Sequence, residues 1–305
     1  MSNYYSFGLV GFPLEHTFSP YIHTRALSAC GLEGEYVLYP VPPLPNGTSE
    51  ICNLLANIRK KEIAGLNVTI PYKRAVIPFL DELTSEANHV KAVNTIYTRN
   101  GKLIGDNTDI YGFLTDLNRK LVEAYNLNLL RSSIDQHALV LGAGGAARAI
   151  VYGLLLSCWK VTVAARSEHQ AAELVIDLKQ NISNDYLNSI PLNKISIGSL
   201  LSEIILVINA TPVGMWSETQ ASPWPEGLML SKGMMVYDLV YNPQVTQLIQ
   251  QAHTQGLYTS GGLGMLVEQA ILSFIKWTGC IPDKNSFYEN MIDNLSKEIP
   301  FSGEK

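Results

Sequence analysis

Residues 138–159 are almost wholly apolar, a run long enough to cross a membrane were it one helix. The run is interrupted by Gly142-Ala143-Gly144-Gly145-Ala146-Ala147 and carries Arg148 near its middle. Clustered glycines and a central cation make a poor spanning helix, whereas a buried strand, a tight turn and a helix accommodate the same residues. A buried strand that feeds a helix through a glycine turn is the opening unit of a parallel sheet with helices on both faces. Apolar runs at 160–164, 205–208 and 234–239 supply further strands, separated by helix-length segments and followed by a helix over 245–255. The expectation for 116–261 is therefore an α/β domain with a doubly wound parallel sheet.

The residues ahead of it follow a different pattern. Strands are expected at 6–11 and 35–41, with a helix between them opened by Ser19 as N-cap and Pro20 at the first helical position. A helix over 52–61 and a strand over 64–70, stopped by Pro71, come next. In 93–104, Asn100-Gly101 stands between two short apolar runs, the signal for a hairpin with a type I′ turn. The segment 109–125 has helical spacing, 126–136 reads as a polar loop, and a final helix over 265–279 follows Gly261-Gly262-Leu263-Gly264 with Glu268 and Gln269 on its polar side. The result is a first α/β domain with a mixed sheet over 1–115, completed by 262–305.

Composition excludes several functions. Of 305 residues 47% are hydrophobic and 16% charged, enough apolar material for two cores of about 100 to 200 residues each. The net charge of -5 and the absence of a basic block offer no footprint for nucleic acid or an anionic membrane. Cys30, Cys52, Cys158 and Cys280 form no C-x-x-C pair, which suggests neither a zinc site nor a disulfide framework. The six histidines show no metal spacing, and His16 and His23 read as helix-entry residues, so no metal is expected. The cysteine pattern fits a reduced cytosol, and the first eleven residues contain no charged leader followed by an apolar core, so no secretory signal is expected.

The order of the chemically capable residues is informative. Asn67-Val68-Thr69-Ile70-Pro71-Tyr72-Lys73 and Gly105-Asp106-Asn107-Thr108-Asp109 precede the glycine turn. A lysine that hands a proton to a forming alkoxide, beside a bound nicotinamide, is the minimum equipment for reducing a ketone. Gly142, Gly144 and Ala147 fit G-x-G-x-x-A after a strand and before a helix, the context in which backbone N–H groups approach a pyrophosphate. Where an NAD site expects an acidic residue, the second strand ends in Ala165-Arg166-Ser167, a cation and a hydroxyl suited to a 2′-phosphate. NADP is favoured, with Glu168 the residue that would serve NAD instead. The loop 209–215, holding Thr211, follows another strand and belongs beside the ligand crevice.

Taken in order with 11–20, Ala92-Val93-Asn94-Thr95 and 262–269, these segments resemble the shikimate dehydrogenase family over nearly the whole chain. The resemblance implies a substrate domain followed by a Rossmann-type domain, with the C-terminal helix returning to the cleft. It implies reversible NADPH-dependent reduction of 3-dehydroshikimate to shikimate, on the route to chorismate and the aromatic amino acids. Lys73 and Asp109 would form the acid–base pair. Asn67, Thr69, Asn94 and Gln269 would hold the ring hydroxyls, and Thr17, Ser19 and Tyr241 the carboxylate. The dinucleotide would be held by Gly142, Ala143, Gly144, Gly145, Ala146, Ala147, Arg166, Ser167, Thr211, Leu239, Gly262 and Met265. A monomer or homodimer is expected. Thr17 stands where the family usually has Ser, and Ala165 and Gln170 depart from its NADP loop, leaving Arg166 as the one cation there. An NAD-dependent quinate/shikimate dehydrogenase and a catalytically idle dinucleotide sensor are the competing readings.

Overall fold

The computed structural model describes residues 4–15, 17–125, 136–180, 182 and 186–299. Two compact units emerge: Met1–Gly112 with Val267–Asp293, and Phe113–Leu266 with the chain from Asn294. The expected loop at 126–136 falls, apart from Gln136, outside the described residues, as does His16.

In chain order the first unit contributes β1 (Tyr4–Gly11), α1 (Ser19–Ala29), β2 (Glu33–Pro40), α2 (Thr48–Arg59), β3 (Gly65–Val68), α3 (Tyr72–Ala75), β4 (Glu82–Leu83), α4 (Ser85–Val90), β5 (Thr95–Arg99) and β6 (Lys102–Asp106). Its sheet runs β2-β1-β3-β5-β6-β4. β1 pairs parallel with β2 and β3, whereas β5 is antiparallel to both β3 and β6, so the sheet is mixed. The β5–β6 hairpin turns on Asn100 and Gly101, both at positive φ as a type I′ turn demands, and sets Arg99 opposite Lys102. Helix α5 (Asp109–Tyr125) then begins in the first unit and continues into the second.

Helix α1 buries Ser19, Ile22, His23, Ala26 and Leu27, a stripe at helical spacing. Two expectations are corrected here. Ser19 is the first helical residue, not the cap: Phe18 holds the cap position without a side-chain bond, and the Ser19 N–H is answered by Thr17 Oγ1 at 3.3 Å. His23 is no entry residue but a core ring, stacked on Tyr36 at 4.4 Å between centroids.

The second unit contains β7 (His137–Leu141), α6 (Gly145–Leu156), β8 (Lys160–Ala165), α7 (Glu168–Lys179), β9 (Leu187–Pro191), α8 (Lys194–Gly198), β10 (Ile204–Asn209), β11 (Met235–Asp238), α9 (Gln247–Thr254) and β12 (Tyr258–Ser260). Every pairing in the order β12-β11-β10-β7-β8-β9 is parallel. The strand order reverses between β7 and β10, and the carboxyl ends at such a point border the ligand crevice of doubly wound sheets. The apolar run 138–159 is thus most of a strand, a turn and a whole helix, with Arg148 buried and paired to Asp177 at 2.6 Å. Among the described residues no helix is long and apolar enough to cross a membrane.

Helix α10 (Leu263–Thr278) starts in the second unit and belongs to the first from Val267 onward. Gln269, Ser273 and Trp277 lie at i, i+4 and i+8 along it. Trp277 stacks on Phe7 at 4.9 Å and donates through Nε1 to Ile96 O at 3.2 Å. β3 has a glycine beneath this ring because a Cβ on Gly65 would run into the indole. Helix 265–279 is not the last: α11 (Lys284–Glu298) follows, burying Phe287, Met291 and Leu295 at spacings of four. Its apolar stripe is plain, but its polar composition masks it.

Burial holds the His23 imidazole down at about 3 from 6.5. An imidazole with a depressed folded pKa is protonated more readily in the unfolded chain, so its contribution is intact above about pH 6.5 and lost as pH falls towards 3. His23→Phe keeps a ring on Tyr36, and urea unfolding between about pH 6 and 4 is expected to show an acid-side slope flatter than wild type by about 1.4 kcal/mol per pH unit.

Candidate active site

Lys73 lies in α3, the single turn that follows Pro71, and its carbonyl accepts the Val93 N–H at 2.7 Å. Asp109 is the first residue of α5, where its own N–H is taken by Asn107 Oδ1 at 3.1 Å. From these anchor points the side chains converge, and Lys73 Nζ donates to Asp109 Oδ2 at 2.5 Å. The lysine side chain retains 15% exposure and the carboxylate 5%, so the ammonium is the more accessible partner.

The other carboxylate oxygen is fixed by an amide. Asn94 Nδ2 donates to Asp109 Oδ1 at 2.8 Å and stands 3.3 Å from Gln269 Oε1. That amide cannot be reversed, because Asn94 Oδ1 accepts the Thr108 backbone N–H at 2.8 Å, and a backbone N–H only donates. Behind it lies a buried set of hydroxyls and amides. Asn67 Nδ2 donates to Asn94 O at 3.1 Å and to Ser273 Oγ at 3.0 Å, while Thr95 Oγ1 and Ser273 Oγ are 2.7 Å apart. Polar groups so deeply buried persist only when partnered, and this network partners them with neutral neighbours.

The structure therefore brings Lys73, Asp109, Asn94, Gln269 and Asn67 into one hydrogen-bonded cluster. Thr69, half-buried just past β3, is held through its backbone, its N–H on Val10 O and its carbonyl taking the Tyr72 N–H. Thr17 and Ser19 pair with each other, Oγ1 to Oγ at 3.1 Å, in the turn that enters α1. Glu268, expected beside Gln269 on a polar face, is instead buried at 1% exposure. Residues missed by sequence reasoning are Tyr36, which donates to Asn67 Oδ1 at 2.8 Å, and Ser273, one turn beyond Gln269 on the same face of α10. The i+4 spacing is a signal for Ser273; nothing local marks Tyr36.

In the second unit the glycine turn sits at the switch point, between β7 and the uncapped start of α6. Gly142 adopts φ +106°, and a Cβ there would press on the Thr211 methyl at 2.9 Å. No atom lies within 4 Å of where a Cβ on Gly144 would project. Helices α7, α8 and α9 receive cap bonds from Ser167, Asn193 and Thr246, whereas α6 receives none from a side chain, leaving first-turn N–H groups for another acceptor. Arg166 is exposed at the end of β8, and Thr211 donates to Asn209 Oδ1 at 2.7 Å. Leu239 and Gly262 approach backbone to backbone, with no room for a Cβ on the glycine; Met265 is buried in the first turn of α10, and Tyr241 is half-buried past β11.

A second unsuspected network closes this end of the sheet. Asp238 accepts from Asn209 Nδ2 at 2.8 Å, Val240 N at 3.0 Å and Thr246 Oγ1 at 2.7 Å. Burial pushes its carboxyl up to about 6 despite those donors. Among the described residues no cluster of His, Cys, Asp and Glu is able to hold a metal ion.

A mixed α/β unit with an ammonium–carboxylate pair, joined to a doubly wound parallel unit with a glycine turn at its switch point, is the architecture of two-domain dehydrogenases. Residues 9–96 match the profile described as the shikimate dehydrogenase substrate binding domain, and 262–289 the shikimate 5'-dehydrogenase C-terminal domain. A shikimate dehydrogenase (NADP(+)) of Salinibacter ruber is 40% identical over 88% of this chain and 90% of its own length. A crystal structure of a shikimate dehydrogenase in complex with NADP+ superposes with a TM-score of 0.82 at 32% identity, covering 97% of this chain and 98% of that one. The Thermus thermophilus enzyme in complex with NADP(H) and shikimate gives 0.76 at 33% identity, covering 95% and 99%. This chain belongs to the shikimate dehydrogenase family.

Asn94→Ala strips partners from the Thr108 N–H and from one Asp109 oxygen at once. Denaturant unfolding is expected to show a loss on the order of 2 kcal/mol or more, against less than about 1 kcal/mol for Gln269→Ala on the more exposed side.

Proposed function

We propose that this chain is a cytoplasmic NADP-dependent shikimate dehydrogenase that reversibly reduces 3-dehydroshikimate to shikimate, in the route to chorismate and the aromatic amino acids. The observation that carries the reading is the Lys73–Asp109 pair, clamped by Asn94 inside a network of neutral amides and hydroxyls. A polyhydroxylated acid calls for such a lining, which discriminates strongly because a missing hydroxyl leaves a buried partner unsatisfied.

The glycine turn suits a dinucleotide: a Cβ on Gly142 would crowd Thr211, the space over Gly144 is open, and α6 presents uncapped N–H groups. Residues 142–147 would hold the pyrophosphate and Arg166 with Ser167 the 2′-phosphate, while Thr211, Leu239, Gly262 and Met265 would line the rest. Bound NADPH supplies the hydride. Lys73 Nζ then gives a proton to the alkoxide forming at C3 of the substrate. Asp109 Oδ2 keeps the lysine aimed and, in the oxidative direction, helps return the proton. Asn94 prevents the carboxylate from rotating away, since its amide is locked from behind by the Thr108 N–H. Asn67, Thr69, Asn94 and Gln269 would hold the ring hydroxyls, and Thr17, Ser19 and Tyr241 the carboxylate.

Steady-state oxidation of shikimate and quinate with NADP and NAD, four combinations, tests the assignment. Shikimate with NADP is expected to be fastest, and quinate with NAD ahead of it sinks the assignment in favour of the competing enzyme. Arg166→Ala is expected to raise the KM for NADP by about tenfold with that for NAD little changed, as loss of one charge-assisted phosphate contact implies. Lys73→Ala should lower kcat by at least roughly a hundredfold with a much smaller change in KM, and a variant that keeps most of its turnover removes Lys73 from proton transfer.

A further inference from the structure

Asn67 has its hydrogen-bonding polarity decided by the protein. The backbone carbonyl of Asn94, which also takes the Val68 N–H at 2.8 Å, only accepts, so the group 3.1 Å from it on Asn67 is the NH2. The second amide hydrogen goes to Ser273 Oγ at 3.0 Å. With both hydrogens committed, Asn67 Oδ1 faces Tyr36, whose hydroxyl must then be the donor at 2.8 Å. Beyond these bonds Asn67 has the second lone pair of Oδ1, with the buried His23 imidazole as a further neighbour.

We propose that Tyr36 and Ser273 are positioning residues that hold the Asn67 amide, whose polarity the Asn94 carbonyl sets, so that it presents an acceptor and the site selects a substrate hydroxyl, a donor, at that point of the ring. The claim rests on the dehydrogenase reading above and adds to it which residues set the selectivity and with what sign. The two supports are built to hold. Ser273 is fully buried and touches Thr95 Oγ1 at 2.7 Å, Thr108 Oγ1 at 3.1 Å and Gln269 O at 3.1 Å as well as Asn67. Tyr36 is fixed by His23, whose ring lies 4° from parallel to its own. They reach Asn67 from β2 and from α10, remote in sequence and independent of each other.

The test uses shikimate and its analogues with fluorine in place of the C4 or the C5 hydroxyl, substitutions that preserve size but remove the donor. Wild type is expected to lose about tenfold or more in kcat/KM on one of the two, the difference of about one hydrogen bond. Tyr36→Phe, which keeps the ring on His23, and Ser273→Ala should each raise the KM for shikimate about tenfold, with kcat within about threefold and the KM for NADP unchanged. Both should also shrink the penalty on that analogue several-fold, because an amide no longer held in place bonds the substrate hydroxyl less well and loses less when that hydroxyl is removed; Ser273→Thr, which keeps the hydroxyl, should restore the penalty. A structural defect alone weakens both substrates in proportion and leaves the ratio unchanged, and that result in the folded variants overturns the proposal. So does a wild type indifferent to both analogues. The supports lie on separate elements, so either variant decides the matter if the other fails to fold. A wild type that turns over no shikimate with either dinucleotide is a separate failure, of the dehydrogenase reading itself, and takes the proposal with it.

Discussion

A backbone N–H that is able only to donate, that of Thr108, determines the orientation of the Asn94 amide and through it most of the first unit's chemistry. Its consequence passes outward one bond at a time. Because Oδ1 of Asn94 is taken, its NH2 must face Asp109; because that carboxylate is held on one oxygen by the amide, the other meets Lys73 in one geometry. A freely rotating carboxylate beside a flexible lysine would make the same ion pair in many arrangements, few of them aimed at a reacting atom. Here neutral groups restrict the charged ones, and their entropy has been removed before any ligand arrives.

The second unit, on the reading proposed above, suits a different problem, the approach of backbone to a large polyanionic ligand, and does so by omission. A glycine at positive φ, a Cα with open space above it and a helix start without a side-chain cap are all places where the chain withholds atoms. Nearby, the Asn209–Asp238–Thr246 network fixes the ends of β10 and β11, so the loops that leave them start from defined positions.

Much of this was legible in the sequence where the determinant was local. Asn100-Gly101 announced its hairpin because type I′ geometry needs positive φ at both residues, and the strand–glycine–helix pattern announced the parallel sheet. Lys73 and Asp109 stood out as chemistry-bearing residues inside recognisable motifs. What escaped was set by distance along the chain or by a single residue of boundary. Tyr36 acts on Asn67 across 31 positions, with no periodic cue, and the i+4 spacing that ties Ser273 to Gln269 does not by itself separate it from any buried small residue of an apolar helix. Ser19 missed its cap role by one position because Phe18 entered the helix unaided. The short edge strands β9 and β12 carry no clear alternation, so pairing with β8 and β11 defines them.

The stripe of Gln269, Ser273 and Trp277 along α10 carries one last implication. Two of its members meet the polar network and the third rests on the bare Cα of Gly65, so that glycine acts as a spacer that sets how deeply the helix seats on the sheet. Thickening the floor there, even by a methyl group, would lift the whole row together. The seating of the polar row on α10 is therefore open to adjustment from Gly65, a position outside the hydrogen-bonded network itself.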